Sequence, residues 1–204
     1  LRIQMRRILE QVGETDGNLA LLLVDLDKFK PINDVYGHSV GDLVLQEVGN
    51  QFRRIVGDKV ENGDFSARLG GDEFVAIVLN KPNAEVRTIA EKLVKALSTP
   101  FSVAEIEARI ACSVGISYWP TDGKELGTLL RRADLAMYTA KQQGGNCWAE
   151  FGQETGENDF TAMAEDAAMQ LVAEDAAADE VSTLGEPSTG NAQNADDRNA
   201  GGEG

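Results

Sequence analysis

The sequence has few cysteines, few aromatic residues and no long hydrophobic run, and the first and last of these shortages each exclude a class of protein. Two cysteines, Cys112 and Cys147, cannot build a disulfide framework, which favours a reducing, cytoplasmic setting. Aromatic residues make up only 6% of the chain. The longest apolar run, Leu19 to Val24, is far shorter than the roughly 20 residues that span a bilayer. We therefore expect this segment to make no membrane contact.

Basic residues are also scarce, and the acidic ones are unevenly placed. The net charge of the 204 residues is −15, and residues 151–204 hold 13 of the 34 acidic residues but one of the 19 basic ones. Nucleic acids and anionic membranes bind cationic surfaces, so neither is an expected partner. The shift in composition predicts one folded domain over residues 1–151 and an acidic, low-complexity, mostly disordered tail over residues 152–204.

Hydrophobic periodicity predicts alternating helices and strands in the first 151 residues. Leu19–Val24 is typical of a strand buried on both faces, and Phe65–Leu79 of a β-hairpin. The period-two pattern of Ile106–Tyr118 predicts one long strand with one solvent-exposed face. Helices are expected up to Gly13, over Val40–Val56, from a cap at Asn83 to Leu97, and over Leu126–Met137, with a short strand around Cys147–Phe151. This order predicts an α/β fold with a mixed sheet flanked by helices.

Two acidic segments are expected to meet at one edge of this sheet. Asp25 ends the predicted central strand, and Asp72 and Glu73 follow Gly70 and Gly71 in the hairpin turn. Converging carboxylates repel each other, and Mg²⁺ relieves this repulsion by binding one or two carboxylates together with substrate phosphates and water. The glycines would let a ligand lie against the backbone. An ordinary hairpin turn, with Asp25 as a helix cap, explains the spacing equally well, so both interpretations stay open.

Five segments combine these acidic residues with glycine and lysine in a set order. They are Val24-Asp25-Leu26-Asp27-Lys28-Phe29-Lys30 with Ile32-Asn33-Asp34, Gly37-His38-Ser39-Val40-Gly41-Asp42, Arg68-Leu69-Gly70-Gly71-Asp72-Glu73-Phe74, Ser113-Val114-Gly115-Ile116, and Ala133-Asp134-Leu135-Ala136-Met137-Tyr138-Thr139-Ala140-Lys141. In order and spacing they closely resemble the GGDEF-domain family, the diguanylate cyclases. The resemblance covers residues 1 to about 151 and implies a palm-like, nucleotide cyclase-like fold. It also implies an Mg²⁺-dependent nucleotidyltransferase that condenses two GTP molecules into cyclic di-GMP and two pyrophosphates.

The resemblance also implies roles for single residues in the chemistry. Asp25, Asp72 and the Leu26 carbonyl match the family's metal ligands, for two Mg²⁺ ions or for Mn²⁺. Asp72 further matches the proton acceptor for the attacking 3′-hydroxyl, and Lys30 a cation that stabilises the transition state. Glu73 is expected either to touch the second metal or only to shape the turn.

Other residues match substrate contacts. Asn33 and Asp42 match the guanine-reading residues, and a carboxylate suits the N1 and N2 donors of guanine, which adenine does not present. The backbone amides of Phe29 and Lys30 match phosphate contacts. Lys141 matches a further phosphate contact, although its place near a helix end is also favoured by the helix dipole. His38 is either a nucleotide contact or a helix cap, and Asp27 is better explained as a cap of the following helix than as a metal ligand.

Each domain would hold one GTP, so two domains must face each other for reaction. We therefore expect a homodimer, in a parent protein with an upstream sensor domain. The sequence departs from the family in three places, and the first two, the leader and Gly145, favour a rival, a catalytically weak GTP-binding sensor. An Asp-x-Leu-Thr-Gly-Leu-x-Asn-Arg leader is missing, Gly145 replaces a phosphate-facing arginine, and Glu61-Asn62-Gly63-Asp64 replaces the inhibitory Arg-x-x-Asp. The last change predicts that product does not inhibit through this site, and Glu61 also argues against a cyclic di-GMP receptor.

Overall fold

The computed structural model describes residues 2–15, 17–57, 64–103 and 105–152. Residues 153–204 of the predicted acidic tail, and residues 61–63, lie outside the described residues. Within these ranges the chain forms helices α1 (Arg2–Glu14), α2 (Lys30–Tyr36), α3 (His38–Val56), α4 (Asn83–Ser98) and α5 (Leu126–Gln142), and strands β1 (Leu19–Asp27), β2 (Phe65–Gly70), β3 (Glu73–Leu79), β4 (Phe101–Val103), β5 (Ile106–Ala108), β6 (Ala111–Trp119) and β7 (Trp148–Glu150). None of the helices in the described ranges is long and apolar enough to cross a lipid bilayer.

The main sheet is mixed, as the element order predicts. Its strand order is β2-β3-β1-β6-β7, with β1 antiparallel to both neighbours and β7 parallel to β6. The segment Leu19–Val24 is buried on both faces, as predicted, because helices cover both sides of the sheet. Strand β1 runs three residues further than predicted, since Asp27 still pairs with Ala111 of β6. Asp25 therefore lies inside the strand and not at its end.

The two faces of β1 supply separate cores. Ala20, Leu22 and Val24 pack with residues of α3 and α4. Leu19, Leu21 and Leu23 pack with α1 and α5. Since alternate residues of a strand share a face, Asp25 and Asp27 lie on the side of β1 that α5 covers.

The prediction of one long strand over residues 106–118 is wrong. Strand β5 pairs with β4 in a separate two-stranded sheet, and β6 begins only at Ala111. The period-two pattern continues across the break because Ala108 and Ile110 are both buried. The predicted solvent-exposed face is also wrong: Ser113 and Ser117 are fully buried, and a Cβ on Gly115 would lie 1.9 Å from the Ala133 carbonyl oxygen of α5. Small residues here permit close helix packing.

The predicted cap of α4 is also misplaced. Asn83 is the first residue of the helix, and Pro82 occupies the N-cap position without a side-chain cap hydrogen bond. Proline suits the end of a helix because it lacks an N–H that the helix would leave without a partner.

A buried carboxylate on β7 forms hydrogen bonds with side chains of β6 and α4. Glu150 of β7 is 6% exposed, and it accepts hydrogen bonds from Arg87 Nε at 2.8 Å and Arg87 Nη2 at 2.9 Å. The Tyr118 hydroxyl of β6 also donates to Glu150. These contacts hold the short edge strand β7, which follows the last helix.

Replacing Tyr118 by phenylalanine should destabilise the domain, because it removes a donor to a buried charged acceptor. We expect the free energy of unfolding to fall by about 1.5–3 kcal/mol, as measured by urea denaturation. Tyr36→Phe, at an exposed position of α2, is the matched control and should change little. Equal stability of the Tyr118 variant and the parent would contradict this role of the hydroxyl.

Candidate active site at the acidic edge of the sheet

The pairing of β1 with β3 places the two acidic segments side by side. Asp25 pairs in register with Glu73, and the Leu26 N–H donates to the Asp72 carbonyl oxygen at 3.2 Å. The Asp25 side chain is only 17% exposed, whereas Asp72 is half-buried and Glu73 is exposed. Residues that are almost 50 positions apart in the sequence thus form one acidic edge.

The turn between β2 and β3 leaves open space above its glycines. A Cβ added to Gly70 or Gly71 would meet no atom within 4 Å, and Gly71 has a φ of +52°, which favours glycine. The Arg68 Nε donates to the Gly71 carbonyl oxygen at 2.8 Å and so ties the turn to its own strand. This role of Arg68 was not predicted. No local sequence pattern indicates which side chain will donate to the backbone carbonyl of a turn residue such as Gly71.

Helix α5 brings a lysine to the acidic edge. Lys141 Nζ lies 2.9 Å from Asp25 Oδ1, and the Lys141 side chain is 39% exposed. The contact that the structure gives Lys141 is therefore with a carboxylate. Asp134 lies seven residues earlier, on the same face of α5, and is half-buried near this pair. Asp134 was not predicted as a site residue, although its spacing from Lys141 could have indicated it.

Burial and, to a smaller extent, neighbouring carboxylates raise the pKa of three acidic groups at this edge, Asp25, Glu73 and Asp134. Burial raises the pKa of Asp25, and the charges of Asp72 and Asp27 raise it further, against the opposing effect of Lys141. Partial desolvation of its carboxylate likewise raises the pKa of Glu73, although the residue as a whole is exposed, with smaller contributions from Asp25, Asp134 and Asp72. The pKa of Asp134 is raised by burial and by Asp25 and lowered by Lys141. One ammonium group does not balance this negative charge, so the edge favours a further cation.

The donors at this edge suit a hard divalent cation in an open site. In the described part of the chain, no group of three or more His, Cys, Asp or Glu side chains could hold a metal ion by itself. The expected ligands, Asp25, Asp72 and the Leu26 carbonyl, are all oxygen donors, which Mg²⁺ prefers. Mg²⁺ commonly takes its remaining ligands from water and from substrate phosphates. These residues therefore fit a cation that arrives with a phosphorylated ligand.

The prediction that Asp27 caps the following helix is wrong. The N-cap of α2 is Phe29, which makes no side-chain cap hydrogen bond. Instead Asp27 Oδ1 accepts from Ser113 Oγ and Asp27 Oδ2 accepts from the Asn146 N–H, each at 2.8 Å. These partners lie 86 and 119 positions away, so no local pattern predicts them.

The residues expected to read guanine lie where α2 meets α3. A Cβ on Gly41 would lie 1.8 Å from Asn33 Oδ1 and 3.3 Å from Phe29 Cζ, so glycine lets α2 approach α3 closely. The next residue, Asp42, is exposed. The Phe29 side chain is buried, which leaves its backbone for any ligand contact.

A cleft of about 540 Å³ lies between α3 and the β2–β3 hairpin, and Asp42 lines one part of it. Arg68, Asn50 and Ser66 line other parts, and the stacked rings of Phe52 and Phe74, 5.0 Å apart, also belong to its wall. Asn33, His38 and Lys30 are not among the lining residues. Lys30 and His38 are the exposed first residues of α2 and α3.

The chain is similar to proteins of one family throughout its described part. A family model described as diguanylate cyclase, GGDEF domain, matches residues 1–147. The chain is 43% identical over 148 residues to the bifunctional diguanylate cyclase/cyclic di-GMP phosphodiesterase MucR of Pseudomonas aeruginosa, and 34% identical over 150 residues to the cyclic di-GMP phosphodiesterase PdeR of Escherichia coli. These matches cover 72% and 73% of the chain. The chain spans about a fifth of the length of either relative.

Solved structures show the same architecture. The GGDEF domain of YfiN, also called TpbB, from Pseudomonas aeruginosa matches with a TM-score of 0.67 and 30% identity, over 74% of this chain and 94% of that one. The expectation of a palm-like mixed sheet flanked by helices is thereby confirmed.

Replacing Lys141 by methionine should strengthen binding of a divalent cation to the nucleotide-free protein. The ammonium and the cation compete for the same Asp25 carboxylate, so removing the ammonium favours the cation. We expect the Kd for Mn²⁺ to fall several-fold, which corresponds to about 1 kcal/mol for a partly exposed ion pair. Titration calorimetry measures this Kd. Lys92→Met, at an exposed position of α4, changes the net charge equally and should leave the Kd unchanged; equal Kd values for all three proteins would refute the competition.

Proposed function

Because the chain belongs to the GGDEF domain family of diguanylate cyclases, we propose that it condenses two GTP molecules into cyclic di-GMP with release of two pyrophosphates. The observation that carries this proposal is the acidic edge, where Asp25 of β1 lies next to the Asp72–Glu73 segment of the hairpin. Open space above Gly70 and Gly71 leaves room for a triphosphate against the backbone. The reaction would take place in the cytoplasm, where GTP is available.

Charge and proton transfer can be assigned to residues of this edge. The Asp72 carboxylate accepts the proton of the 3′-hydroxyl of one GTP while the 3′-oxygen attacks the α-phosphorus of the other GTP. The bond between that α-phosphorus and the bridging oxygen breaks, and pyrophosphate leaves. Two divalent cations, Mg²⁺ or Mn²⁺, held by Asp25, Asp72 and the Leu26 carbonyl, would neutralise the charge of the phosphates. The exposed Lys30 ammonium stabilises the charge that develops on them.

Base selection belongs to the junction of α2 and α3. The Asp42 carboxylate accepts from the N1–H and N2–H of guanine, which an adenine base does not offer, and Asn33 contributes a second polar contact. Asp42 is exposed beside a cleft of a size that holds nucleotide-sized ligands. The backbone amides of Phe29 and Lys30 contact the phosphates, and we assign a nucleotide contact to His38, the exposed first residue of α3.

A homodimer would complete the reaction, because each domain supplies one GTP and each 3′-hydroxyl must reach the α-phosphate held by the partner. The matched region is only about a fifth of the length of either relative named above, which supports a parent protein with further domains, including an upstream sensor.

The second candidate function is a catalytically weak, GTP-binding regulatory domain. Gly145 provides no side chain where the family has a phosphate-facing arginine, and a charge-assisted contact of that kind contributes roughly 1.5–3 kcal/mol. One relative, PdeR, is named a cyclic di-GMP phosphodiesterase, so similarity to this chain is not confined to proteins named as cyclases.

The full chain should convert GTP with Mg²⁺ into cyclic di-GMP, as measured by nucleotide chromatography. Asp72→Ala should lower the rate roughly 10²–10⁴-fold, the usual effect of losing a catalytic base, while Glu107→Ala at an exposed position of β5 should not. Unchanged GTP at several protein concentrations would favour the regulatory domain. Equal rates for Asp72→Ala and the parent would remove Asp72 from the mechanism.

Product inhibition through the position five residues before the double glycine should be absent. The family's Arg-x-x-Asp is replaced here by Glu61-Asn62-Gly63-Asp64, and glutamate repels the phosphates of the product. The Asp64 carboxylate is also engaged, since Asp64 Oδ1 accepts from the Leu79 N–H at 2.9 Å. Initial rates should stay constant as cyclic di-GMP is added, with a family member that keeps Arg-x-x-Asp as positive control. Strong inhibition of this chain would show the prediction to be wrong.

A further inference from the structure

Asp27 joins three separate segments of the chain beside the acidic edge. Its two carboxylate oxygens accept from Ser113 Oγ of β6 and from the N–H of Asn146, in the loop between α5 and β7, each at 2.8 Å. We call these three residues the Asp27 clasp. Ser113 is fully buried, so one half of the clasp is shielded from water.

The loop that the clasp holds is conformationally costly. Gly144, Gly145 and Asn146 all have positive φ, at +108°, +73° and +51°. Lys28, which follows Asp27, has a φ of +58°. A non-glycine residue in this region of φ is held there by its surroundings at some cost in conformational energy. The charge-assisted hydrogen bond from the Asn146 N–H to Asp27 offsets this cost.

The same loop is bonded to the last turn of α5. The Gly144 N–H donates to the Lys141 carbonyl oxygen and the Gly145 N–H to the Ala140 carbonyl oxygen, both at 3.1 Å. Residues 141–146 are therefore held at both ends by β1: Lys141 through its ammonium on Asp25, and Asn146 through its backbone on Asp27.

A side chain at position 145 would disturb the clasp. A Cβ there would lie 2.8 Å from Asp27 Oδ2, so the carboxylate would have to move. Gly145 thus leaves the clasp intact but supplies no charge of its own, which makes the placement of Lys141 more important to any phosphate bound at this edge.

We propose that Asp27 is a positioning residue: through the clasp it holds the C-terminal end of α5 so that Lys141 reaches the triphosphate of the substrate. This inference rests on the proposed function, since it assumes a GTP molecule at the acidic edge. The inference predicts different effects on different ligands. A clasp that acts through Lys141 affects binding of the β- and γ-phosphates and leaves binding of the guanine base unchanged.

The test compares a triphosphate with a monophosphate on the full chain. The ligands are 3′-deoxy-GTP, which lacks the attacking hydroxyl and so binds without reacting, and GMP, with Mg²⁺ present in both titrations. Asp27→Ala should weaken binding of 3′-deoxy-GTP about 5- to 10-fold, as expected for loss of one charge-assisted contact, and leave GMP binding unchanged. In turnover with GTP, KM should rise more than kcat falls.

Matched variants separate positioning from charge and from general damage. Asp27→Asn keeps an acceptor for the Asn146 N–H and a partner for Ser113 Oγ, and should bind within about twofold of the parent. Ser113→Ala removes one bond of the clasp and should give an intermediate effect even if Asp27→Ala does not fold. Glu107→Ala should bind both ligands as the parent does.

The outcomes decide the inference. Unchanged 3′-deoxy-GTP binding in Asp27→Ala, equal weakening of both ligands, or an Asn variant as weak as the Ala variant would each overturn it. A parent that binds GTP but forms no cyclic di-GMP would defeat the proposed cyclase activity and leave the clasp to be judged on binding. A parent that binds no GTP would overturn both.

Discussion

The register between β1 and β3 is the constraint on which the rest of the site depends. Strand β1 is apolar and buried on both faces up to Val24, and its first acidic residue, Asp25, pairs with Glu73 at the start of β3. A shift of two residues would move Asp25 beside Val75, inside the core, where an unpaired carboxylate costs several kcal/mol. The change from apolar to acidic residues at Asp25 therefore fixes the register of β1 against β3. The same register brings the two acidic segments next to each other.

Helix α5 reaches this edge because β6 offers it small residues. Gly115 allows the Ala133 carbonyl to approach to a distance that no side chain could tolerate, and the buried Ser117 hydroxyl donates to the Leu129 carbonyl oxygen at 2.9 Å. Docked this closely, α5 places Asp134 and Lys141 over the end of β1. The residues of β6 that resemble a polar outer face in the sequence are thus the ones that let the helix pack.

The sequence contained enough information for the fold class and for the two acidic segments, since both follow from local patterns: an apolar strand that ends in aspartate and a hairpin with a double glycine. It did not contain the partners of Asp27, because Ser113 and Asn146 come to it only through the order of strands in the sheet. It also did not show the break at Ile110, because a period-two pattern reports burial and not which strand a segment pairs with. The spacing of Asp134 from Lys141 indicates a shared face of α5, but that this face lies at the acidic edge depends on how α5 packs against the sheet.

The acidic edge costs the domain stability, and this cost is itself informative. Because burial and neighbouring charges raise the pKa of Asp25, Glu73 and Asp134, the folded state binds protons more tightly than the unfolded state at these groups. Their contribution to stability therefore falls as pH rises through their titration range. Lys141 partly offsets the rise in the pKa of Asp25, but an ammonium that is ion-paired with Asp25 is not available to a phosphate. In the proposed function, a divalent cation arriving with a triphosphate would change both effects at once, since it would replace the ammonium at the carboxylate and bring phosphates toward which the ammonium could turn. Carboxylates arranged this way are unfavourable for the domain at neutral pH, which is the pattern expected where function opposes stability.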